Sequence, residues 1–127
     1  MFIDTSVFIW AFRGNKKAVQ LLNDTDKLFI SSVVYIELMQ GARNKQELRA
    51  IDTTLTMLQV TIIHVNESIS SLATELVKTY FHSYAVELAD ALIGATACLY
   101  KMPLVTCNIK HFAPMPNLSL QSFNPND

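Results

Sequence analysis

The sequence predicts a single α/β domain in which a mainly parallel sheet of four to five strands is covered by helices. Short β-branched and aromatic runs alternate with segments of helical periodicity, and the links between them are short. Half of the 127 residues are hydrophobic and 17% are charged, which is typical of a folded domain with its own core. We expect this domain to span residues 1–123 and to be followed by a frayed tail, 124–127.

Each predicted element rests on its own local pattern. Five segments have the composition of short strands bounded by turn residues: 1–4, 27–30, 60–65, 103–108 and, more weakly, 118–121. Six segments repeat apolar residues at helical spacing: 7–12, 16–23, 33–43, 45–58, 66–81 and 87–98. Polar residues that can cap free N–H groups precede three of these helices, namely Thr5-Ser6, Ser31-Ser32 and Asn66.

The sequence disfavours membrane and secreted proteins. No apolar run approaches the length of about 20 residues needed to span a bilayer, and the chain begins at Met1 without a basic leader. Cys98 and Cys107 lie among apolar neighbours with no C-x-x-C pair, so we expect reduced thiols rather than a disulfide or a zinc site. These observations favour a cytoplasmic protein.

Three acids stand in unusually apolar surroundings. Asp4 ends the first predicted strand, and Asp90 stands in the first turn of an apolar helix. Glu37 shares a helix face with apolar residues and has no lysine or arginine three or four positions away. A buried carboxylate is costly unless it is paired, protonated or bound to a cation. Helix capping by Asp90 and a surface position for Glu37 remain alternatives.

These acids can converge on one edge of the sheet. In a parallel sheet, the end of a strand and the start of the next helix lie at the same edge, where Thr106 and Asn108 also fall. Three carboxylates in one cleft repel each other, and Mg²⁺ or Mn²⁺ resolves that repulsion. Such an ion can orient and acidify a water, so the natural reaction is phosphodiester hydrolysis, with a second metal possible.

The net charge of −1 speaks at first sight against a nucleic-acid partner. If the three acids bind metal, however, the rest of the chain carries 10 basic against 8 acidic residues. The basic residues also cluster, and four of them are candidates for phosphate contacts: Arg13, Lys16, Arg43 and Lys45. Solvated helix faces are the commoner explanation of such clusters.

An ordered set of motifs covers essentially the whole chain. They are Phe2-Ile3-Asp4-Thr5-Ser6, Ser31-Ser32 with Glu37-Leu38, Asp90-Ala91-Leu92-Ile93-Gly94-Ala95-Thr96-Ala97, and Leu104-Val105-Thr106-Cys107-Asn108 with His111-Phe112. Each motif is weak alone, whereas the ordered set is specific. In this set the chain resembles the PIN-domain ribonucleases, and more narrowly the VapC-type toxins of type II toxin-antitoxin systems.

The resemblance implies a three-layer PIN-like fold and an endoribonuclease that depends on Mg²⁺ or Mn²⁺. Asp4, Glu37 and Asp90 would be its catalytic and metal-binding acids, with Thr106, Asn108 and Ser6 as supporting polar groups. It also implies an RNA substrate, a cognate antitoxin and a homodimer.

Asn108 departs from the family pattern, because many PIN domains have a fourth acid there, and this puts the second metal in doubt. Glu87 could supply the missing charge, but a solvated loop acid is the favoured interpretation. The three histidines, His64, His82 and His111, show no ligand spacing, and ordinary roles suffice for them.

The apolar run 8–12 carries more bulk than a short helix easily buries, so it packs in the domain or meets a partner. Its large side chains, Phe8, Ile9, Trp10 and Phe12, are candidates for antitoxin contact.

Two rival functions remain open at this point. A phosphoacceptor receiver also places aspartates beside Mg²⁺, although this chain lacks its early acidic cluster and late lysine. A catalytically degraded binding module would keep the fold and lose the reaction.

Overall fold

The structure, a computed structural model, describes residues 1–81 and 86–126. Its five strands are β1 (Phe2–Ile3), β2 (Phe29–Ser31), β3 (Thr61–Ile63), β4 (Leu104–Thr106) and β5 (Leu120–Ser122). Its helices are α1 (Thr5–Phe12), α2 (Lys16–Asp24), α3 (Ser32–Gln40), α4 (Lys45–Met57), α5 (Glu67–Tyr80), α6 (Leu88–Tyr100) and α7 (Ile109–Phe112). His82, assigned an ordinary role above, lies outside the described residues.

The strands form one sheet in the order β3-β2-β1-β4-β5, and every pairing is parallel. The sequence-based prediction of a mainly parallel sheet covered by helices is therefore confirmed. The chain starts at the central strand, builds outward on one side through β2 and β3, and then returns to the other side of β1 through β4 and β5. A crevice at the carboxyl end of β1 follows from this reversal of direction, and it is where ligands bind in open α/β sheets.

The observed elements differ from the predicted ones mainly at their ends. The strands are only two or three residues long, because pairing with a neighbour, and not composition, sets their limits. The four-residue helix α7 was not predicted, since it is too short to show a periodic pattern.

Two of the three predicted caps are confirmed. Ser31 accepts a hydrogen bond from the N–H of Val33, and Asn66 accepts one from the N–H of Ile69. The cap predicted at Thr5 and Ser6 is wrong, because α1 already begins at Thr5 and Asp4 takes the capping position.

The core combines the central strands with buried residues of each helix from α1 to α6. Phe2 and Ile3 of β1 and Leu104 and Val105 of β4 are fully buried. Gly94 lets α6 pack closely against the segment that follows β4: a Cβ added there would lie 2.3 Å from Sδ of Met115 and 3.6 Å from the Phe112 ring. This face of α6 is thus a packing surface, on the same helix that carries Asp90 in its first turn.

Two hydrogen bonds connect the C-terminal residues to the start of α2. Asn15 Nδ2 donates to the Pro125 carbonyl (3.0 Å), and Lys17 Nζ donates to the Asn124 carbonyl (2.8 Å).

Cys98 and Cys107 are free and half-buried. No helix within the described part of the chain is both long and apolar enough to cross a membrane.

Candidate active site

Asp4 is the most tightly held of the three acids. It follows β1, and its side chain is 5% exposed. Its Oδ2 atom accepts hydrogen bonds from Thr106 Oγ1 (2.7 Å) and Ser6 Oγ (2.9 Å). Each hydroxyl accepts in turn from a backbone N–H, that of Asn108 (2.9 Å) for Thr106 and that of Cys107 (3.1 Å) for Ser6. Because each hydroxyl proton is thereby directed at Asp4, the orientation of this carboxylate is fixed from the end of β4.

Glu37 is held from a different element. Thr5 Oγ1, at the start of α1, donates to Glu37 Oε1 at 2.6 Å across 32 residues of sequence. Glu37 is half-buried, and Gln40 beside it is exposed. The side chain therefore turns toward the end of β1, as the helix periodicity predicted, and not toward solvent.

Asp90 is the acid whose ionisation is most perturbed. Its side chain is 18% exposed, and His111 Nδ1 lies 3.4 Å from its Oδ2 atom. Burial raises the pKa of Asp90 from 3.8 to about 6, and the nearby charge of His111 opposes that shift. Glu87, and not Asp90, takes the N-cap position of α6. Asp90 is thus not the N-cap residue, but it does lie in the first turn of α6, where its charge complements the helix dipole.

Electrostatics shows that the acids share one region. Asp4, Glu87 and Glu37 each add to the upward shift of the Asp90 pKa, which requires their charges to lie close to it. Asp4 and Glu37 thus lie within electrostatic range of Asp90, near the carboxyl end of β1. Glu87, which the sequence left as secondary, is exposed but contributes its charge.

The supporting residues divide into two groups. Ser6 and Thr106 contact Asp4 directly, as described above. Asn108 is exposed and contributes its backbone N–H, which donates to the Thr106 hydroxyl.

Sequence reasoning missed Thr5 and His111 as site residues. Thr5 was interpreted only as a cap. The available signals for His111 were its place in the last motif of the ordered set and its position three residues after Asn108, one helical turn along.

The donor set suits a hard cation, because Asp4, Glu37 and Asp90 offer carboxylate oxygens whose charges repel. Within 1–81 and 86–126, however, no three His, Cys, Asp or Glu side chains are grouped closely enough to hold a metal between them. Mg²⁺ usually keeps several waters and binds through one or two carboxylates. The residues present therefore fit an ion held by part of the set, with water between it and the rest.

The basic candidates differ in their surroundings. The Arg13 guanidinium lies over the Trp10 ring, 5.7 Å from its centroid. Arg43 forms an ion pair with Glu47 at 2.9 Å. Both arginines line a groove of about 710 Å³ between α1, α3 and α4, and Glu37 lies in the wall of the same groove. Lys16 and Lys45 are exposed.

One proposed partner contact needs correction. Phe8 is fully buried, so it belongs to the core and is not available to a partner. Helical geometry turns it inward together with Val7. Ile9 (39% exposed) and Phe12 (42% exposed) line the groove described above, and Trp10 is half-buried beneath Arg13.

Comparison with known proteins identifies the family. The family model described as PIN domain matches residues 1–115. This chain belongs to the PIN domain family. Because the three acids belong to a PIN domain, the alternative of a phosphoacceptor receiver is excluded.

Three relatives of this PIN domain illustrate the likeness. Ribonuclease VapC19 of Mycobacterium tuberculosis is 31% identical over 121 residues, which cover 91% of this chain and 94% of the relative. The toxin-antitoxin complex from Klebsiella pneumoniae contains a chain 29% identical with a TM-score of 0.78, covering 98% of this chain and 96% of that one. VapBC2 from Rickettsia felis, bound to a DNA fragment from its promoter, matches at 25% identity and a TM-score of 0.82, covering 97% and 98%.

Proposed function

We propose that this protein is an endoribonuclease that depends on Mg²⁺ or Mn²⁺, the toxin of a toxin-antitoxin pair neutralised by a cognate antitoxin. The observation that carries the proposal is that Asp4 and Glu37 lie within electrostatic range of Asp90, near the carboxyl end of β1 of a PIN domain. The ribonuclease VapC relatives and the VapBC complexes support the activity and the partner. We extend the proposal to a cytoplasmic location, where cellular RNA would be the substrate.

The chain's own residues prepare the site for a cation. Asp4 and Asp90 would hold the metal directly, and Glu37 would hold it or orient a water. Because Ser6 and Thr106 both donate to Oδ2 of Asp4, its Oδ1 atom would be the oxygen available to a metal. A bound Mg²⁺ or Mn²⁺ supplies an acidified water and charge stabilisation for phosphodiester hydrolysis.

Burial and the neighbouring acids favour the binding of a cation beside Asp90. The pKa of about 6 means that its ionised form is disfavoured by its surroundings. A cation removes that penalty, since it offsets the repulsion from Asp4 and Glu37. The same field would repel the RNA backbone if no cation were bound, so the proposed reaction needs the ion for substrate approach as well.

The groove between α1, α3 and α4 offers a path for the substrate backbone to the acids. Arg13 and Arg43 line it, and Glu37 connects it to the site. Arginine on such a wall can contact phosphates without reading bases. Lys16 and Lys45 are further candidates for backbone contacts. A homodimer is part of the proposal, and Ile9, Trp10 and Phe12 remain candidates for antitoxin contact.

The direct test compares the purified chain with its Asp4→Asn variant on an RNA panel with Mn²⁺. Asparagine keeps an oxygen acceptor for the two hydroxyls, so the fold is retained while the charge is lost. The exposed Asp26→Asn variant is a matched control for the loss of one charge. We expect cleavage by the wild type and the control only. Equal residual cleavage in all three preparations would indicate contamination and refute the nuclease function.

A further inference from the structure

We propose that Thr5 is a positioning residue that orients Glu37 for metal binding through its hydroxyl group. The proposal rests on the function proposed above and deepens it. The motif pattern assigns Thr5 no such role: the sequence predicted only a helix cap there, and the structure places Thr5 inside α1.

The contact joins two separate elements of the site. Thr5 is the first residue of α1, and Glu37 lies in the second half of α3. The Oγ1 to Oε1 distance of 2.6 Å falls in the range of charge-assisted O–H···O⁻ hydrogen bonds, which are about twice as strong as neutral ones. Thr5 is 9% exposed, so little water competes for its hydroxyl.

Neighbouring residues fix where Thr5 stands. Asp4 before it is bound to Thr106, and Ser6 after it is bound both to Asp4 and to the backbone of Cys107. The β-branched side chain of threonine also has few rotamers in a helix. Residues 4–6 thus supply one carboxylate, that of Asp4, and through Thr5 they orient a second one, that of Glu37.

The hydrogen bond occupies one carboxylate oxygen of Glu37 and leaves the other for a metal ion. Among the described residues, Glu37 Oε2 accepts no hydrogen bond from the protein. A glutamate without a partner would sample several rotamers, and a ligand would have to select one of them. With Oε1 held, Oε2 is presented in a single direction, as partners of metal-binding side chains commonly achieve.

The test measures Mn²⁺ binding to the whole chain by isothermal titration calorimetry, together with the thermal unfolding temperature. Thr5→Val removes the hydroxyl and keeps the shape, whereas Thr5→Ser keeps the hydroxyl. Thr96→Val is the matched control, because Thr96 is also a buried helical threonine and its hydroxyl donates to the Leu92 carbonyl of its own helix.

We expect Thr5→Val to weaken Mn²⁺ binding about 10- to 100-fold and Thr5→Ser to restore it, with wild-type affinity in Thr96→Val. In RNA cleavage, kcat should fall while KM for RNA stays the same. Thr5→Ala serves as a second hydroxyl-free variant should Thr5→Val not fold.

A double variant separates positioning from general packing. If Thr5 acts through Glu37, Thr5→Val should cost no further affinity in a Glu37→Ala background, which has no acceptor for the Thr5 hydroxyl. Wild-type affinity in a folded Thr5→Val or Thr5→Ala protein would overturn the positioning role while leaving the nuclease function intact. Equal losses of Mn²⁺ affinity in Thr5→Val and Thr5→Ser would also overturn it, provided that the wild type cleaves RNA only with Mn²⁺. Absence of any Mn²⁺ binding by the wild type would refute the metal-dependent function and this inference together.

Discussion

Replacing Asp90 with asparagine should stabilise the metal-free protein at neutral pH and abolish its activity. The folded protein holds the Asp90 pKa near 6, whereas the ordinary value is 3.8. Between these values the folded state binds the proton more tightly than the unfolded chain does. The free energy of unfolding therefore falls as the pH rises through this window, and it stays reduced above pH 6.

The size of the effect follows from the shift. The difference between 3.8 and about 6 corresponds to about 3 kcal/mol, at about 1.36 kcal/mol for each pH unit. The Asp90 side chain is 18% exposed and water screens part of this penalty, so we expect a gain of about 2 kcal/mol in Asp90→Asn at pH 7.5. At pH 3.5 Asp90 is protonated in the folded protein and mostly protonated in the unfolded chain, so the gain should nearly disappear.

Urea unfolding with EDTA at the two pH values measures this difference. The exposed Asp26→Asn variant controls for the change in net charge. A His111→Ala variant should steepen the pH dependence of the wild-type protein, because His111 opposes the Asp90 shift. An equal gain in the free energy of unfolding at both pH values, or a loss at pH 7.5, would refute the conclusion that burial raises the pKa of Asp90.

Three further outcomes follow from the same contacts. Phe8→Ala should lower the free energy of unfolding by about 3–5 kcal/mol, whereas Phe12→Ala should cost about 1 kcal/mol and instead weaken antitoxin binding in a pull-down; comparable destabilisation would contradict their different burial. Thr106→Val should reduce cleavage about 10- to 100-fold, because Asp4 loses one of its two hydroxyl donors, and wild-type rates would show that the bond is dispensable. Millimolar Mn²⁺ should raise the unfolding temperature of the wild type but not of Asp4→Asn, and an equal rise in both would place the ion elsewhere.

Much of the fold could be predicted because its signals are local. Helical periodicity identified α2, α4 and α5 within one or two residues of their observed ends, since their apolar stripes face the core directly. Strand ends were less accurate because a neighbouring strand determines where pairing stops. The helix α7 escaped notice because a single turn has no measurable period.

Phe8 shows the limit of local patterns in another way. The run 8–12 is apolar throughout, so its composition could not distinguish a core face from a partner face. Only the packing of α1 on the rest of the domain buries Phe8 and leaves Ile9 and Phe12 partly open. The same limit applies to His111, whose proximity to Asp90 depends on the unpredicted helix α7.

By itself, the sequence determined the α/β class, the family and the identity of the three acids, because these depend on residue type, order and short-range periodicity. Only the tertiary structure decided how the acids are held. Thr106 reaches Asp4 across 102 residues and Thr5 reaches Glu37 across 32. Such contacts arise from the strand order, which no local pattern specifies, and they determine which oxygen of Asp4 and of Glu37 accepts a hydrogen bond from the protein.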